Sequence, residues 1–266
     1  MKRALILLSA LAMLAGCASD GQESIMDKDD IVIAVRSDLP SVGFRKPDDT
    51  FEGFDVDVAR YVADKLGKHF TLLPVLAADR EKALLNRQAD LVVATYTISQ
   101  ERKAKVLFAG PYHVSYQDIL TRRGEPIRNV RDLKGRSICE VKGSNAAQRV
   151  VEERKVAARL VPFDDYNACL AALKGREVDA VTTNDVILAG LAKQDPSGLQ
   201  LNNAQFNEQR SGIGMRKGDV PACEAVNRAI TDMYQDGTAA RLLDKWFGTS
   251  GLDLSTAAVP QFEGCS

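Results

Sequence analysis

The order of apolar runs and helical patterns along this chain repeats, and this repetition limits the folds that it can adopt. An apolar run at 31–35 precedes a helical pattern at 54–66, where Asp55 and Asp57 are expected to favour the helix dipole. Two more strand–helix pairs follow up to position 102, and three lie between 137 and 193. Such alternation is typical of parallel sheets covered by helices, so its double occurrence predicts two α/β domains.

The C-terminal part contains too few elements for a domain of its own. It has a short strand at 211–215, a long helix that begins near Pro221, and a last helix that reaches Phe247. We expect it to pack on the first domain, so the chain crosses between domains near 116–121 and 210–214. Two crossings form a hinge, and the cleft between the domains becomes the expected ligand site. Residues 31–118 and 214–266 would form lobe 1, and residues 119–213 would form lobe 2.

The N-terminus has the pattern of an export signal. Lys2 and Arg3 precede an apolar stretch at 4–13 that is too short to span a bilayer, and Leu14-Ala15-Gly16-Cys17 resembles the bacterial lipobox. We predict that residues 1–16 are a signal peptide and that Cys17 carries a lipid anchor. A plain cleaved signal with an unrelated Cys17 is the alternative. Residues 17–30 are polar and predict a flexible tether at the outer face of the cytoplasmic membrane, on a bacterial surface or in the periplasm.

Charge and hydropathy exclude several kinds of partner. The net charge is −1, and no basic stripe follows any predicted helix, so nucleic acid is not an expected partner. No segment after the signal is apolar enough to span a membrane, which leaves the lipid anchor as the expected membrane contact. We expect a monomer.

The cysteines predict disulfides. Four remain when Cys17 is set aside, and in an exported chain they suggest two disulfides with three possible connectivities. We favour Cys139 with Cys169 and Cys223 with Cys265, each worth roughly 3–4 kcal/mol by chain entropy. A metal site is the competing hypothesis, but no C-x-x-C motif occurs and both histidines are far from any cysteine in sequence. We therefore expect no metal and no cofactor.

The stretch Leu91–Arg102, LVVATYTISQER, predicts a binding site for a small carboxylate. A buried strand becomes polar at Thr95 and Thr97, and Ser99 can cap a short helix that contains Arg102. This arrangement places polar side chains at the carboxyl edge of a sheet, where open α/β folds bind ligands. The planar fork of an arginine matches the two oxygens of a carboxylate.

Four segments carry a family resemblance: EGFDVDVARYVA at 52–63, ATYTISQERKAKVLFAGPYH at 94–113, VDAVTTNDVILAG at 178–190 and GTAARLLDKWFG at 237–248. Together they resemble the polar amino-acid-binding proteins of bacterial ABC importers, the family 3 extracellular solute-binding proteins, and most of all the glutamate/glutamine-binding lipoproteins. The likeness spans 31–248. It implies a type II two-lobe clamshell with a two-strand hinge that closes on one amino acid and delivers it to a permease driven by an ATPase.

The resemblance also implies roles for individual residues. The ligand's α-carboxylate would be held by Arg102, with help from Thr97 and the backbone at Thr95. The second lobe would add donors from Ser144 and Asn145 at the start of a helix, a common place for an anion to bind.

Arg36 and Arg80 bear on the identity of the ligand that this resemblance implies. Arg36 ends the first strand, and acidic-amino-acid binders carry an arginine similar to Arg80. Two further cations at the cleft would favour a side-chain carboxylate, so we expect glutamate first, then aspartate, glutamine and asparagine. The alternative for each arginine is a solvated surface position or a structural ion pair.

Asn184 departs from the family pattern. The family usually has a carboxylate there that meets the ligand's α-ammonium, and in this chain an acid comes one residue later, at Asp185. Burial of an ammonium without a counter-charge is costly. Three outcomes are open: Asp185 turns into the cleft, the affinity is lower, or the ligand is not a standard α-amino acid.

Two other functions remain as alternatives. One is an enzyme similar to cyclohexadienyl dehydratase on the same fold, which would need a general acid or base over its substrate. The motifs offer no Ser-His-Asp set, metal cluster or cleft histidine, so we do not expect an enzyme. The other is an amino-acid sensor or adhesion protein that couples the same clamshell to a different partner.

Overall fold

The computed structural model describes residues 23–254 and 259–265. The predicted signal peptide and Cys17 lie outside these ranges. The predicted tether does not remain detached up to residue 30. Ile25 is buried, and its backbone N–H donates to the Asp219 carboxylate at 2.8 Å. Burial of the apolar Ile25 side chain stabilises the packing of this segment on the folded protein. The proposed tether therefore ends before Ser24.

Within the described ranges the chain forms twelve strands, eight α-helices and three short 3-10 helices. The strands are β1 (Asp30–Arg36), β2 (Asp38–Leu39), β3 (Gly43–Arg45), β4 (Phe51–Glu52), β5 (His69–Val75), β6 (Leu91–Thr97), β7 (Leu107–Arg122), β8 (Ser137–Val141), β9 (Arg159–Phe163), β10 (Ala180–Asn184), β11 (Leu199–Leu201) and β12 (Phe206–Met215). The helices are α1 (Phe54–Leu66), α2 (Arg80–Leu85), α3 (Gln100–Lys103), α4 (Ala146–Glu152), α5 (Tyr166–Lys174), α6 (Asp185–Ala192), α7 (Val220–Gln235) and α8 (Thr238–Phe247). No helix in these ranges is long and apolar enough to cross a membrane.

The main sheet has two parallel ends joined by two antiparallel strands. Its order is β5-β1-β6-β12-β7-β10-β8-β9, with β11 paired to β7, while β2, β3 and β4 form a small separate sheet. Strand β1 is parallel to β5 and β6, and β8 is parallel to β9 and β10. Helices flank both ends, so the chain forms a two-lobe clamshell of the type II kind with a two-strand hinge, which confirms the predicted fold class.

The hinge consists of β7 and β12, which pair with each other from Gln117↔Phe206 to Leu107↔Met215. The end of β7 pairs with β10 in one lobe, and the end of β12 pairs with β6 in the other. Sequence predicted this second strand only at 211–215, because the polar residues before it lack an apolar pattern. Because these residues pair with β7, they form a strand, and β12 begins at Phe206 instead of 211. The lobe boundaries at 118/119 and 213/214 remain a prediction.

Two disulfides link elements of the described chain. Cys139 of β8 is joined to Cys169 of α5, with their Cα atoms 5.7 Å apart. Cys223 of α7 is joined to Cys265, with their Cα atoms 5.8 Å apart, so the end of the chain is held against this helix.

His113 lies in the hinge strand β7 and is buried against α1. Its ring meets the Phe54 ring edge-on at 5.4 Å, and Nε2 has no hydrogen-bond partner in the described part of the chain. Burial lowers the pKa of His113 to about 4, because a charged imidazole would lose its hydration there.

Replacement of His113 by Leu is expected to remove a pH dependence of stability. The folded pKa lies below the unfolded value of 6.5, so the stability that the neutral ring contributes is present above pH 6.5 and is lost as pH falls. Relative to His113→Leu, the wild type should lose about 2 kcal/mol of unfolding free energy between pH 7.5 and pH 5. Urea unfolding of both proteins across this range would measure the difference, and a constant difference would contradict the assignment.

Candidate functional site

One cavity between the lobes brings together all eight side chains that the sequence singled out for ligand binding. It is lined by Arg36, Ala77, Arg80, Thr95, Thr97, Arg102, Ser144, Asn145, Ala146, Tyr166, Thr183, Asn184, Ile187 and Gln209. The cavity measures about 20 Å³, which suits a water molecule but not an amino acid. Because Arg80 and Arg102 also donate across the cleft to the Gly143 carbonyl, this is a closed form of the protein.

The turn from β6 into α3 positions Arg102. Ser99 caps this helix, its hydroxyl accepting from the Arg102 backbone N–H at 3.3 Å. The Arg102 guanidinium is thereby directed back along the strand, where Nη1 donates to the Thr97 carbonyl at 2.7 Å. Its Nη2 crosses the cleft and donates to the Gly143 carbonyl of lobe 2 at 2.9 Å.

Arg80, at the start of α2, reaches the same carbonyl from another direction. Its Nη2 donates to the Gly143 carbonyl at 2.8 Å, and its Nε donates to the Ala77 carbonyl at 2.9 Å. Nη1 donates to the Ala94 and Thr95 carbonyls, both at 3.1 Å. Both guanidinium carbons also lie against the ring of Tyr96, at 4.6 Å for Arg80 and 5.0 Å for Arg102.

These two buried cations contact dipoles but no acid. Within residues 23–254 and 259–265 neither Arg80 nor Arg102 forms a salt bridge. Burial lowers the pKa of Arg80 to about 9, with a further contribution from the neighbouring arginines. Burial also lowers the pKa of Arg102. An anion between them would relieve this destabilisation, since a buried charge is stabilised mainly by an opposite charge.

Arg36 is different, because its charge is already paired. It is 1% exposed, and its Nε and Nη2 donate to the Asp38 carboxylate at 2.8 and 2.6 Å. The structural ion pair that sequence left open therefore exists. Residues two apart in an extended segment share a face, so Asp38 was a visible signal for this pairing. Of the two additional cations expected in the cleft, only Arg80 is without an acid.

Thr95 has a backbone conformation that is unfavourable for a β-branched residue, with φ of 42°. Its N–H donates to the Asp55 carboxylate at 2.7 Å, and the Tyr112 hydroxyl donates to the same carboxylate at 2.7 Å. The Thr95 hydroxyl lines the cavity and has no partner among the described residues. Strain of this kind persists only where the surroundings impose it, which links Asp55 to the geometry of the site.

Asp55 was not among the side chains predicted for the site. It lies in the first turn of α1, where an acid ordinarily faces solvent, yet it is fully buried. Burial raises its pKa to about 7, while the bonds from Tyr112 and Thr95 oppose this rise. Nothing in the local pattern separates Asp55 from Asp57, so sequence alone had no signal for this role.

Lobe 2 contributes hydroxyl and amide groups. The Tyr166 hydroxyl lies 3.1 Å from Ser144 Oγ and 2.8 Å from Thr183 Oγ1, while Asn145 precedes α4 and makes no side-chain cap. Gln209, which sequence missed because its part of β12 was not predicted as a strand, accepts from the Thr97 hydroxyl at 3.1 Å. These groups can orient a polar ligand, but they supply no charge.

Asn184 lines the cavity, whereas Asp185 does not. The Asn184 amide donates to the Ser115 hydroxyl at 3.4 Å. The Asp185 carboxylate accepts from the backbone of Tyr116 at 3.2 Å and of Val186 at 2.7 Å, and from Gln205 at 3.2 Å. Burial raises the pKa of Asp185 to about 6. Because these three donors hold Asp185 on the hinge side, a turn into the cleft is the least favoured of the three outcomes for this position.

Two glycines allow the lobes to approach closely. A Cβ on Gly143 would lie 2.5 Å from the backbone nitrogen of Ala78. A Cβ on Gly190, in α6, would lie 2.1 Å from the carbonyl oxygen of Pro40. Distances this short are not tolerated between backbones, so both glycines are needed for this closed form.

The fold and this cleft define a class: two-lobe proteins that close on a small polar ligand. The chain belongs to the bacterial extracellular solute-binding proteins, family 3, whose model matches residues 31–249. It is 33% identical over 261 residues to the ABC transporter glutamine-binding protein GlnH of Bacillus subtilis, covering 91% of this chain and 95% of that protein. It is 34% identical over 243 residues to the glutamate-binding protein GluB of Corynebacterium glutamicum, covering 86% and 82%.

Solved structures give the same fold. An ancestral arginine-binding protein bound to arginine matches with a TM-score of 0.77 and 31% identity over 83% of this chain and 99% of that one. The ancestral amino acid-binding protein AncCDT-1, described as a precursor of cyclohexadienyl dehydratase, matches with a TM-score of 0.75 and 26% identity over 84% and 97%.

Gly190→Ala is expected to separate closure from folding. Alanine favours a helix by about 1 kcal/mol over glycine, so the unliganded protein should melt no lower than the wild type. The added methyl would hold the lobes apart at Pro40, so ligand affinity should fall roughly tenfold or more. Calorimetry and thermal melts without ligand would measure both quantities. Unchanged affinity would contradict the closure contact.

Asp55→Ala tests whether this carboxylate holds Thr95 in its strained conformation. Release of the Thr95 N–H should lower ligand affinity roughly tenfold, although Asp55 does not line the cavity. Asp57→Ala is the matched control, because Asp57 lies in the same turn and accepts instead from Lys245 and Trp246 outside the cleft. Equal affinity losses in the two variants, measured by calorimetry, would show that the effect is a general loss of stability.

Proposed function

We propose that this protein is the substrate-binding component of an ABC importer, which captures a polar or acidic amino acid by closure of its lobes and delivers it to a permease. The observation that carries the proposal is the pair of buried guanidiniums, Arg80 and Arg102, that join both lobes and contact no acid. Glutamate is the first candidate, followed by aspartate, glutamine and asparagine. Relatives named for glutamine and glutamate binding support this group of amino acids but do not rank its members.

The arrangement suggests how a ligand favours the closed form. A ligand carboxylate would accept from the arginine fork and from the Thr95 region of lobe 1. Ser144, Asn145 and Asn184 of lobe 2 would then complete its hydrogen bonds, which is possible only when the lobes meet. Because the closed form offers more bonds than the open one, the ligand shifts the population toward it. The permease would then recognise the closed form.

The anchor and the partners complete the proposal. Cleavage after residue 16 and lipidation of Cys17 would hold the protein at the outer face of the cytoplasmic membrane as a monomer, close to its permease and ATPase. The residues before Ser24 would supply the tether, and lobe boundaries at 118/119 and 213/214 would place the hinge at β7 and β12.

A dehydratase-like enzyme is the alternative on this fold, in view of the likeness to AncCDT-1. Such an enzyme needs a general acid or base at the substrate. The side chains that line the cavity in the described ranges include no histidine, aspartate or glutamate, which favours binding over turnover. A sensor that keeps the same cleft would bind the same ligand, so loss of amino-acid uptake on deletion of the gene distinguishes an importer from a sensor.

Calorimetry with glutamate, aspartate, glutamine and asparagine tests the proposed function. We expect binding of at least one of them and its loss by at least about 100-fold in Arg102→Ala, since two charge-assisted hydrogen bonds depend on this guanidinium. Arg45→Ala is the control, because this arginine is exposed and pairs with Asp49 away from the cavity. No heat with any of the four amino acids, or unchanged affinity in Arg102→Ala, would refute the proposal.

A further inference from the structure

Two of the three arginines that line the cavity have no acid within salt-bridge distance among the described residues. Arg36 is paired with Asp38 at 2.6 Å, but within the described ranges the guanidiniums of Arg80 and Arg102 donate only to carbonyl oxygens. Two positive charges therefore face a buried space with no acid in contact. A ligand with a net charge of −2 matches this arrangement better than one with a net charge of −1.

A positive group on the ligand would find no partner in the cavity. None of the lining side chains in the described part of the chain is acidic. The other nearby acids already have partners. Asp55 accepts from Thr95 and Tyr112, and Asp185 accepts from three donors on the hinge side. Glu81 and Glu101 line an adjoining cavity beside Arg102, and both pair with Lys105, at 3.1 and 3.3 Å.

The amide side chains that line the cavity carry no charge. Asn184 and Gln209 line the cavity with amides, which carry no net charge in either orientation of the amide. The Thr95 hydroxyl and Gln209 Nε2 are buried and have no partner among the described residues, so they are available to a ligand. These dipoles can bind a carboxylate, carbonyl or hydroxyl oxygen. They do not offset the cost of an ammonium buried beside two guanidiniums.

We propose that this site, granted its proposed role in carboxylate binding, does not require an α-ammonium and binds five-carbon dicarboxylic acids at least as tightly as glutamate. Glutarate and 2-oxoglutarate have the two carboxylates of glutamate and a net charge of −2. Asn184 is the residue that sets this specificity, because it lies in the cavity at the start of α6, where an acid of nearly the same size would supply the missing charge.

Calorimetry with glutamate, glutarate and 2-oxoglutarate on the wild type and on Asn184→Asp tests this proposal. In the wild type, at least one dicarboxylate should have a dissociation constant equal to or below that of glutamate. In Asn184→Asp, glutamate should bind at least tenfold more tightly than before and glutarate at least tenfold more weakly. Asn203→Asp is the control for the change in net charge, because Asn203 is exposed, and it should leave all three dissociation constants unchanged.

The outcomes separate this inference from the function on which it rests. Tighter binding of glutamate than of both dicarboxylates by the wild type would overturn the inference and leave the importer proposal intact. Equal shifts for glutamate and glutarate in Asn184→Asp would likewise overturn the role of Asn184. No binding of the four amino acids or of either dicarboxylate would overturn both proposals. Thermal melts of each variant establish that the protein tested is folded.

Discussion

The contact between the two lobes at the cleft depends on two buried guanidiniums that donate to one carbonyl oxygen. Arg80 and Arg102 belong to lobe 1, and the Gly143 carbonyl that they contact belongs to lobe 2. A carbonyl dipole satisfies hydrogen bonds but balances only a small part of two positive charges, and burial lowers the pKa of both arginines as a result. The proposed anionic ligand would offset the cost of burying these two charges, and it would do so most fully when both lobes surround it.

The rest of the fold keeps this arrangement in place. Strands β7 and β12 connect the lobes and pair with each other, so the lobes are joined by a hinge. Gly143 and Gly190 remove the side chains that would keep the lobes apart. Asp55 fixes the strained Thr95 from behind the cavity wall, so the donors on β6 are oriented before a ligand arrives.

Much of this could be predicted from sequence, because the relevant signals are local. The alternation of strands and helices gives the two lobes, and Thr95, Thr97, Ser99 and Arg102 all lie in one strand–turn–helix segment. The remaining features depend on contacts between distant segments. Gly190 becomes important only because Pro40 approaches it, and Gln209 enters the site because β7 extends β12 toward Phe206. The sequence places Arg36 and Asp38 on one face of an extended segment, which is compatible with an ion pair. It does not show that both side chains are buried, and their burial depends on the rest of the fold.

A crystal structure of the protein with a bound amino acid or dicarboxylate is the decisive measurement for the proposed role of the two guanidiniums. We expect carboxylate oxygens within about 3 Å of the guanidinium nitrogens of Arg102 and Arg80, with the lobes closed around the ligand. A ligand whose carboxylates bind elsewhere, with the Arg102 side chain directed away from the cleft into solvent, would contradict it.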